Sequence, residues 1–380
     1  MGSRLQVGIA LAGWCVATAN SSAVSLPFEQ DLADRPAAFA APVPEGNYQV
    51  TVRITSARAG TARIWAEQRR LMADVRLRRN GTAERTFIVN VRTPALDELP
   101  ENAPGGTAVR LNPREVGSAS WDDRLSIAVT SDIDARLAWL RIEAVDLPTL
   151  YLAGDSTVSD QPEAPNGSWG QFLPRYFRPD MAVANHAESG ESLKSFVTSH
   201  RFDKLLAKLR HDDWVMIQFG HNDQKRQWPQ THADANNTYK AWLRTYIAEV
   251  RARGATPILV TSPERRNFDT DGRIRPTLAE HAQAMRSVAK EVKAALIDLN
   301  AISIVFYESL GPAVAPRAFA AGGDDHTHHN AYGGQQLARA VIEGLRRANR
   351  AQTGGLEQHI AADAGTFDAA DPPLPDRQER

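Results

Sequence analysis

From Pro148 onward, short apolar runs alternate with longer amphipathic stretches. The apolar runs are TLYLAG, MAVAN, DWVMIQFG, TPILVTS and ALIDLN. Helical periodicity follows over residues 193–209, 235–253, 278–294 and 331–348. Nearly continuous apolar strands that alternate with amphipathic helices predict an α/β fold, with a parallel sheet covered by helices on both faces.

The preceding part of the chain has a different pattern. The segments NYQVTVRITS, TARIWAEQ, TFIVNVRT, RLSIAVTS and ARLAWLRIEAV alternate apolar and polar residues and are separated by turn residues such as RNGT. Several short alternating strands without helices between them predict a β-sandwich. We therefore divide the chain into a sandwich at residues 24–147, an α/β domain at 148–350 and a tail at 351–380. We expect little regular structure in the tail.

Residues 1–23 predict a secretory signal peptide, and hence a secreted or periplasmic protein. The apolar run LQVGIALAGWCVATA follows Arg4 and ends in an A-x-A sequence, but it is too short for a confident membrane span. Cys15 is the only cysteine and lies in this run, so cysteine catalysis and thiolate metal binding are excluded after cleavage. The formal net charge of −1 argues against nucleic acid or an anionic membrane as a partner.

Chemically reactive residue types follow three of the predicted strands and open the last helix. The segments, in chain order, are GDS (154–156), NHAESGES (185–192), FGHND (219–223) and DDHTHHNAYGG (324–334). The carboxyl ends of parallel strands meet at one edge, where ligands bind in such sheets. The fourth segment reaches that edge if its helix packs back onto the sheet.

These segments contain the parts of a serine hydrolase. Ser156 supplies a hydroxyl that needs a base, and His328 can be that base with Asp325 orienting its ring. The backbone N–H groups of Ser156 and Gly190 and the side-chain amide of Asn222 can hold an oxyanion. Each element alone also has a structural interpretation, as a turn, a core histidine or a helix cap. Their occurrence together and in order favours catalysis.

The segments GDST, ANHAESGESLKSF, IQFGHND and DDHTHHNAYGG resemble the four sequence blocks of the SGNH hydrolases, the GDSL-type esterases. More narrowly, with GSWGQFLPRYF, they look like the rhamnogalacturonan acetylesterases of carbohydrate esterase family twelve. The resemblance implies a three-layer α/β/α flavodoxin-like domain and the same roles for Ser156, His328, Asp325, Gly190 and Asn222. It implies no cofactor, and acetylated pectic polysaccharide or oligosaccharide as substrate. PEGNYQVTVRI and EQRRLM resemble a galactose-binding-like β-sandwich.

Two alternatives concern the histidine-rich segment. The family usually has an aromatic or small residue where this chain has His329, and His326 is also close, so the choice of base stays open. A metal site is the second alternative, since the segment groups five histidine and aspartate residues: Asp324, Asp325, His326, His328 and His329. Because few ligands from so short a stretch can converge on one ion, we expect no metal.

The substrate-binding residues are predicted from the expected chemistry of the substrate. A galacturonate carboxylate is expected to need a nearby cation, and Lys225, Arg226 and Lys194 are the candidates, although they also fit a solvated loop face. His221 is a further candidate contact, and Trp228 can offer an apolar surface to a sugar. We expect Trp169 to belong to the core.

Other classes of protein stay open at this point. One is a non-catalytic carbohydrate-binding protein in which the sandwich binds the ligand. Another is a lipase, lysophospholipase or thioesterase, although the polar stretch QKRQWPQTHADANN disfavours long acyl chains. Acetylated xylan is an alternative substrate, and the sequence does not define an oligomeric state.

Overall fold

The computed structural model describes residues 25–375, apart from residues 33, 35, 98–101 and 103. The predicted signal peptide at residues 1–23 and Cys15 lie outside the described residues. No helix in the described part of the chain has the length and apolar character needed to cross a membrane.

The N-terminal unit consists of two four-stranded antiparallel sheets, ordered β1-β8-β3-β6 and β2-β7-β4-β5. The strands are β1 (Phe28–Asp31), β2 (Ala38–Pro42), β3 (Gly46–Ser56), β4 (Gly60–Ala66), β5 (Arg70–Leu77), β6 (Gly81–Val91), β7 (Arg124–Ser131) and β8 (Arg136–Val145). Every second residue of β3, from Tyr48 to Ile54, is buried, as the period-two pattern predicts. Side chains from both sheets form one hydrophobic cluster. The predicted antiparallel strands are therefore present, and the likeness to galactose-binding domains stays a prediction.

The second unit is an α/β unit. Its strands are β9 (Thr149–Gly154), β10 (Asn166–Gly167), β11 (Ala182–Asn185), β12 (Trp214–Gln218), β13 (Thr256–Val260), β14 (Ala295–Ile297) and β15 (His329–Asn330). Its α-helices are α1 (Trp169–Phe172), α2 (Leu193–Thr198), α3 (Arg201–Lys208), α4 (Thr238–Ala252), α5 (Ala279–Val292), α6 (Leu299–Val314), α7 (Ala331–Arg347) and α8 (Arg350–Thr353). Short 3-10 helices lie at Leu173–Tyr176, Ala315–Ala318, Ala321–Gly323 and Leu356–His359.

Five of these strands form a parallel sheet in the order β11-β9-β12-β13-β14. Alternate residues of β9 face two different hydrophobic clusters: one cluster contains α1, α6 and α7, and the other contains α2 to α5. The sheet is therefore covered on both faces, which gives the predicted three layers. The order is the flavodoxin-like one, in which the strand order reverses between β9 and β12, the place where ligands bind in such folds.

Three segments differ from the sequence predictions. The predicted helix at 193–209 is divided into α2 and α3, because His200 adopts a left-handed backbone conformation with φ of 62°. Helix α6 was not predicted; it begins directly after β14, where the side chain of Asp298 caps its first turn. The described part of the tail, up to residue 375, contains only short helices, yet Leu356 and Phe367 are buried in the cluster that contains α7.

The two units pack directly against each other. Trp65 and Leu71 of the N-terminal unit belong to the same hydrophobic cluster as α1 and α7. Beside them, Arg70 Nε lies 2.6 Å from Asp160 Oδ2, with side chains that are 2% and 3% exposed. The contact thus combines apolar packing with a buried ion pair, close to the loop that follows β9.

Candidate active site

Strand β9 ends with a glycine because the chain is too tightly packed there for any side chain. A Cβ at Gly154 would lie 2.5 Å from Val158 and 3.0 Å from the Gln218 carbonyl of β12. The next residue, Asp155, is buried and accepts hydrogen bonds from the backbone and hydroxyl of Thr157 at 3.0 and 2.8 Å. These bonds hold the turn that presents Ser156.

Asp155 is ionised despite its burial. Desolvation would raise its pKa, but the adjacent His221, 3.2 Å away, and the Thr157 bonds outweigh that effect and lower the pKa. The buried carboxylate therefore fixes both the GDS turn and the His221 ring.

Ser156, His328 and Asp325 form a continuous chain of hydrogen bonds. Ser156 Oγ lies 2.9 Å from His328 Nε2, and His328 Nδ1 lies 2.7 Å from Asp325 Oδ2. Asp325 also accepts hydrogen bonds from the backbone N–H groups of Thr327 and His328 at 2.7 and 2.8 Å. Partial burial opposes ionisation, but these bonds prevail and lower the pKa of Asp325. In this arrangement, the imidazole can take the hydroxyl proton while the carboxylate stabilises its charged form.

The segment that carries His328 is held by backbone pairing. Strand β15 pairs antiparallel with β10, directly before α7, and the backbone N–H of Ala320 donates to the His328 carbonyl at 2.9 Å. Asn330 caps α7 by accepting from the backbone N–H of Gly333 at 3.0 Å. A Cβ at Gly333 would lie 2.1 Å from the Ala318 carbonyl, so this close approach requires glycine. The helix thus packs back onto the sheet, as the placement of the fourth segment requires.

The three neighbouring histidines have different contacts. His329 is buried, its Nε2 lies 2.7 Å from the Tyr307 hydroxyl, and burial lowers its pKa to about 3. His326 Nδ1 lies 2.9 Å from Asn267 Oδ1. Of the three, His328 is the one that contacts Ser156. In the described part of the chain, no group of three or more histidine, cysteine or acidic side chains is placed to hold a metal ion.

Besides the backbone N–H of Ser156 after β9, the predicted oxyanion donors lie on the loops after β11 and β12. Gly190 has φ of +91°, and a Cβ built there would meet no atom within 4 Å. Asn222 Nδ2 donates to the Glu191 carbonyl at 2.9 Å, which ties the two loops together. The side chain of Asn222 is also bonded to Lys225 Nζ, 2.8 Å from its Oδ1.

A cavity of about 330 Å³ lies beside His328 and Asp325, between the two units. Its walls include Ser189 of the α/β unit and, from the N-terminal unit, Gln68, Arg114 and Trp121. Sequence reasoning missed these N-terminal residues. They lie far from the four segments along the chain, and no spacing or motif marks them.

The predicted substrate-binding residues have partners elsewhere. Lys225 Nζ lies 4.5 Å from the ring centre of the half-exposed Trp228, and Lys194 Nζ donates to the Pro229 carbonyl at 2.8 Å. Arg226 lines a second cavity of about 260 Å³, and His221 is buried against Asp155. In the part of the chain that the structure describes, none of these five residues lines the cavity beside His328. Trp169 is buried, and its indole N–H donates to Gln218 at 2.8 Å.

The sequence model of the GDSL-like lipase/acylhydrolase family matches residues 152–337, which include every residue of the Ser156–His328–Asp325 chain. The chain belongs to this family and is a carboxylic ester hydrolase.

Three relatives show similarity over about half of this chain or more. Rhamnogalacturonan acetylesterase RhgT of Bacillus subtilis is 39% identical over 209 residues, which cover 52% of this chain and 88% of that protein. The probable rhamnogalacturonan acetylesterase YesY of the same organism is 34% identical, covering 52% of this chain and 92% of that one. The crystal structure of B. subtilis protein YxiM is 26% identical, with a TM-score of 0.51, and covers 82% of this chain and 80% of that one.

Proposed function

We propose that this chain is a serine acetylesterase that removes O-acetyl groups from a carbohydrate, with the pectic polysaccharide rhamnogalacturonan as its substrate. The observation that carries this proposal is the hydrogen-bonded chain Ser156–His328–Asp325, with His328 and Asp325 in the wall of a cavity of about 330 Å³. The names of two relatives, RhgT and YesY, support the choice of rhamnogalacturonan.

The reaction proceeds in two steps. His328 Nε2 takes the Ser156 proton as Oγ forms a bond to the acetyl carbonyl carbon, and the oxyanion is held by the backbone N–H groups of Ser156 and Gly190 and the amide of Asn222. The ester C–O bond then breaks, and the sugar oxygen leaves with the proton from His328. In the second step, His328 takes a proton from water as the water oxygen forms a bond to the acetyl carbon. The bond between that carbon and Ser156 Oγ then breaks, His328 gives the proton to Oγ, and the acetyl group leaves as acetic acid, which ionises to acetate.

The composition of the cavity supports a sugar substrate. Amide and hydroxyl side chains line it, including Gln68, Ser118, Ser120, Gln161 and Asn166. Such groups form hydrogen bonds with sugar hydroxyls, whereas a long acyl chain is bound in a mostly apolar pocket. Lys194, Lys225, Arg226, His221 and Trp228 stay candidates for contacts with a polymer beyond this cavity. We place the enzyme in the secreted or periplasmic compartment, on the sequence pattern of residues 1–23.

Acetate release from three substrates tests this proposal: acetylated rhamnogalacturonan, acetylated xylan and a long-chain ester. We expect release from the pectic polymer, with turnover falling by about 10³-fold or more in Ser156→Ala, because the nucleophile is lost. Ser156-dependent release from xylan alone would move the substrate to another acetylated glycan. Full activity of Ser156→Ala would contradict the mechanism.

A further inference from the structure

The segment at residues 112–121 is part of the connection between β6 and β7. It belongs to the N-terminal unit and lies outside the residues that match the family model. It nevertheless reaches the loop at residues 186–192, which carries Gly190. This contact links a part of the chain with no assigned role to a proposed oxyanion donor.

On one side of Gly190, the contact is made by Arg114. Its Nε donates to Glu188 Oε1 at 2.7 Å, and its Nη2 donates to the same carboxylate and to the Ser189 carbonyl. The Glu188 side chain is mostly buried, and burial raises its pKa to about 7. The nearby Glu115 charge adds to that effect, whereas Arg114 opposes it and favours the charged form of Glu188.

On the other side of Gly190, the contact passes through a buried arginine. Arg201 is fully buried, donates from Nη2 to Glu115 and lies 3.1 Å, through Nε, from Glu191 Oε1. Glu115 is itself fixed, since it accepts from the indole N–H of Trp121 at 2.9 Å and from the backbone of Asn112 at 2.8 Å. A buried ion network held by this many hydrogen bonds has little freedom to shift.

Gly190 is exposed, and apart from its chain neighbours no atom lies within 4 Å of the place where its Cβ would be. Its φ of +91° lies in the left-handed region that favours glycine. The residues on either side of it are the ones that Arg114 contacts directly and that Glu115 reaches through Arg201.

We propose that Arg114 and Glu115 of the N-terminal unit are positioning residues, which aim the backbone N–H of Gly190 at the oxyanion. This proposal rests on the proposed acetylesterase mechanism, and it makes the N-terminal unit a part of the active site. An oxyanion donor acts fully only when its geometry is set in advance, and losing one such donor costs about 10²–10³-fold in turnover. A donor that is displaced but not removed should reduce turnover by a smaller factor.

Arg114→Met tests the proposal because it keeps the length of the side chain and removes its hydrogen-bond donors. The matched control is Arg210→Met. Arg210 is also half exposed, with its side chain 50% exposed against 53% for Arg114, and it also donates to a carboxylate and a carbonyl, those of Asp146 and Leu147, while Asp213 lies 4.0 Å from its Nε. Both arginines are about half exposed, so both variants should fold; Arg114→Met leaves the mostly buried Glu188 without this cation and should lose more Tm than Arg210→Met, whose partner Asp146 is exposed.

We measure hydrolysis of a small activated acetate ester and inhibition by a small alkylboronic acid, which adds to the serine as a tetrahedral anion. In Arg114→Met, kcat and kcat/KM should fall together by about tenfold, because the lost interaction belongs to the transition state. The inhibition constant of the boronic acid should rise by the same factor. Arg210→Met should have wild-type values for all three quantities.

Glu115→Gln provides a second variant, which weakens the contact on the other side of Gly190 and should give the same pattern. Equal kcat and inhibition constants in Arg114→Met and Arg210→Met would overturn the inference, as would a change in KM alone.

The effect of Ser156→Ala separates the failure of this inference from the failure of the proposed function. If Ser156→Ala is inactive but Arg114→Met behaves as wild type, the inference alone fails. If Ser156→Ala is active, the proposed function fails.

Discussion

Two buried carboxyl groups near the candidate site have opposite acid–base behaviour. Asp155 has His221 and Thr157 as partners, and its pKa is lowered. Asp223 accepts from the backbone N–H of Leu193 at 3.0 Å, while its Oδ2 has no partner among the described residues. Burial raises its pKa to about 8, and the nearby Asp155 charge contributes. Asp223 is therefore neutral at pH 7, a state that its position in the FGHND segment did not indicate.

Asp223→Asn should therefore have nearly wild-type activity near pH 6, because a neutral amide replaces a neutral acid, and nearly wild-type stability below about pH 4, where the carboxyl is protonated in both the folded and the unfolded state. A carboxyl group whose pKa is raised in the folded state stabilises that state at low pH, and this contribution is lost as the pH rises toward the folded pKa. The wild type should thus lose stability relative to Asp223→Asn between about pH 4 and pH 8. Urea denaturation at several pH values measures the difference, and a constant difference across this range would show that Asp223 is ionised throughout.

At the scale of single elements, the sequence predicted the strands and the loops that follow them, because both depend on local pattern. The five parallel strands are short, apolar and buried, and each predicted reactive segment follows its strand or opens α7. The break between α2 and α3 and the start of α6 could not be predicted in this way. They depend on the backbone of His200 and on the cap at Asp298, where tertiary packing outweighs periodicity.

Gly190→Ala tests the loop after β11. The added Cβ meets no neighbour, so any effect comes from the positive φ, a strain of about 1–3 kcal/mol at such positions. Gly365→Ala is the control, since it also has a positive φ and open space but lies in the tail. Both variants should have a lower Tm, and Gly190→Ala alone should lose turnover on a small acetate ester. Equal turnover in the two variants would argue against a role for the Gly190 N–H.

At the scale of the whole molecule, the two units are joined by contacts between residues that are far apart in sequence. Arg70 reaches Asp160, and Arg114 reaches Glu188. Nothing in the local pattern of either unit indicates these pairs, because ordinary strand and loop residues form them. The sequence therefore predicted the two units and the Ser156–His328–Asp325 contact, but neither the wall that the N-terminal unit adds to the cavity nor the contacts around Gly190.

Arg70→Ala tests how much this packing stabilises the protein. The substitution leaves Asp160 buried without its cation, a change that costs about 3–5 kcal/mol. Arg63→Ala is the control, because its pair with Asp74 is exposed, at 42% and 40%, and such pairs contribute about 0–1 kcal/mol. Chemical denaturation gives both values. A similar small loss in the two variants would mean that the buried pair does not hold the units together.

The central claim is that Ser156 carries the acetyl group during the reaction. The most direct measurement is acid quenching of the enzyme during turnover of an activated acetate ester, followed by mass spectrometry of its peptides. We predict the mass of one added acetyl group on the peptide that contains Ser156, and none on that peptide in Ser156→Ala. An acetyl group on another residue, or active turnover with no acetyl-enzyme at any quench time, would contradict the account.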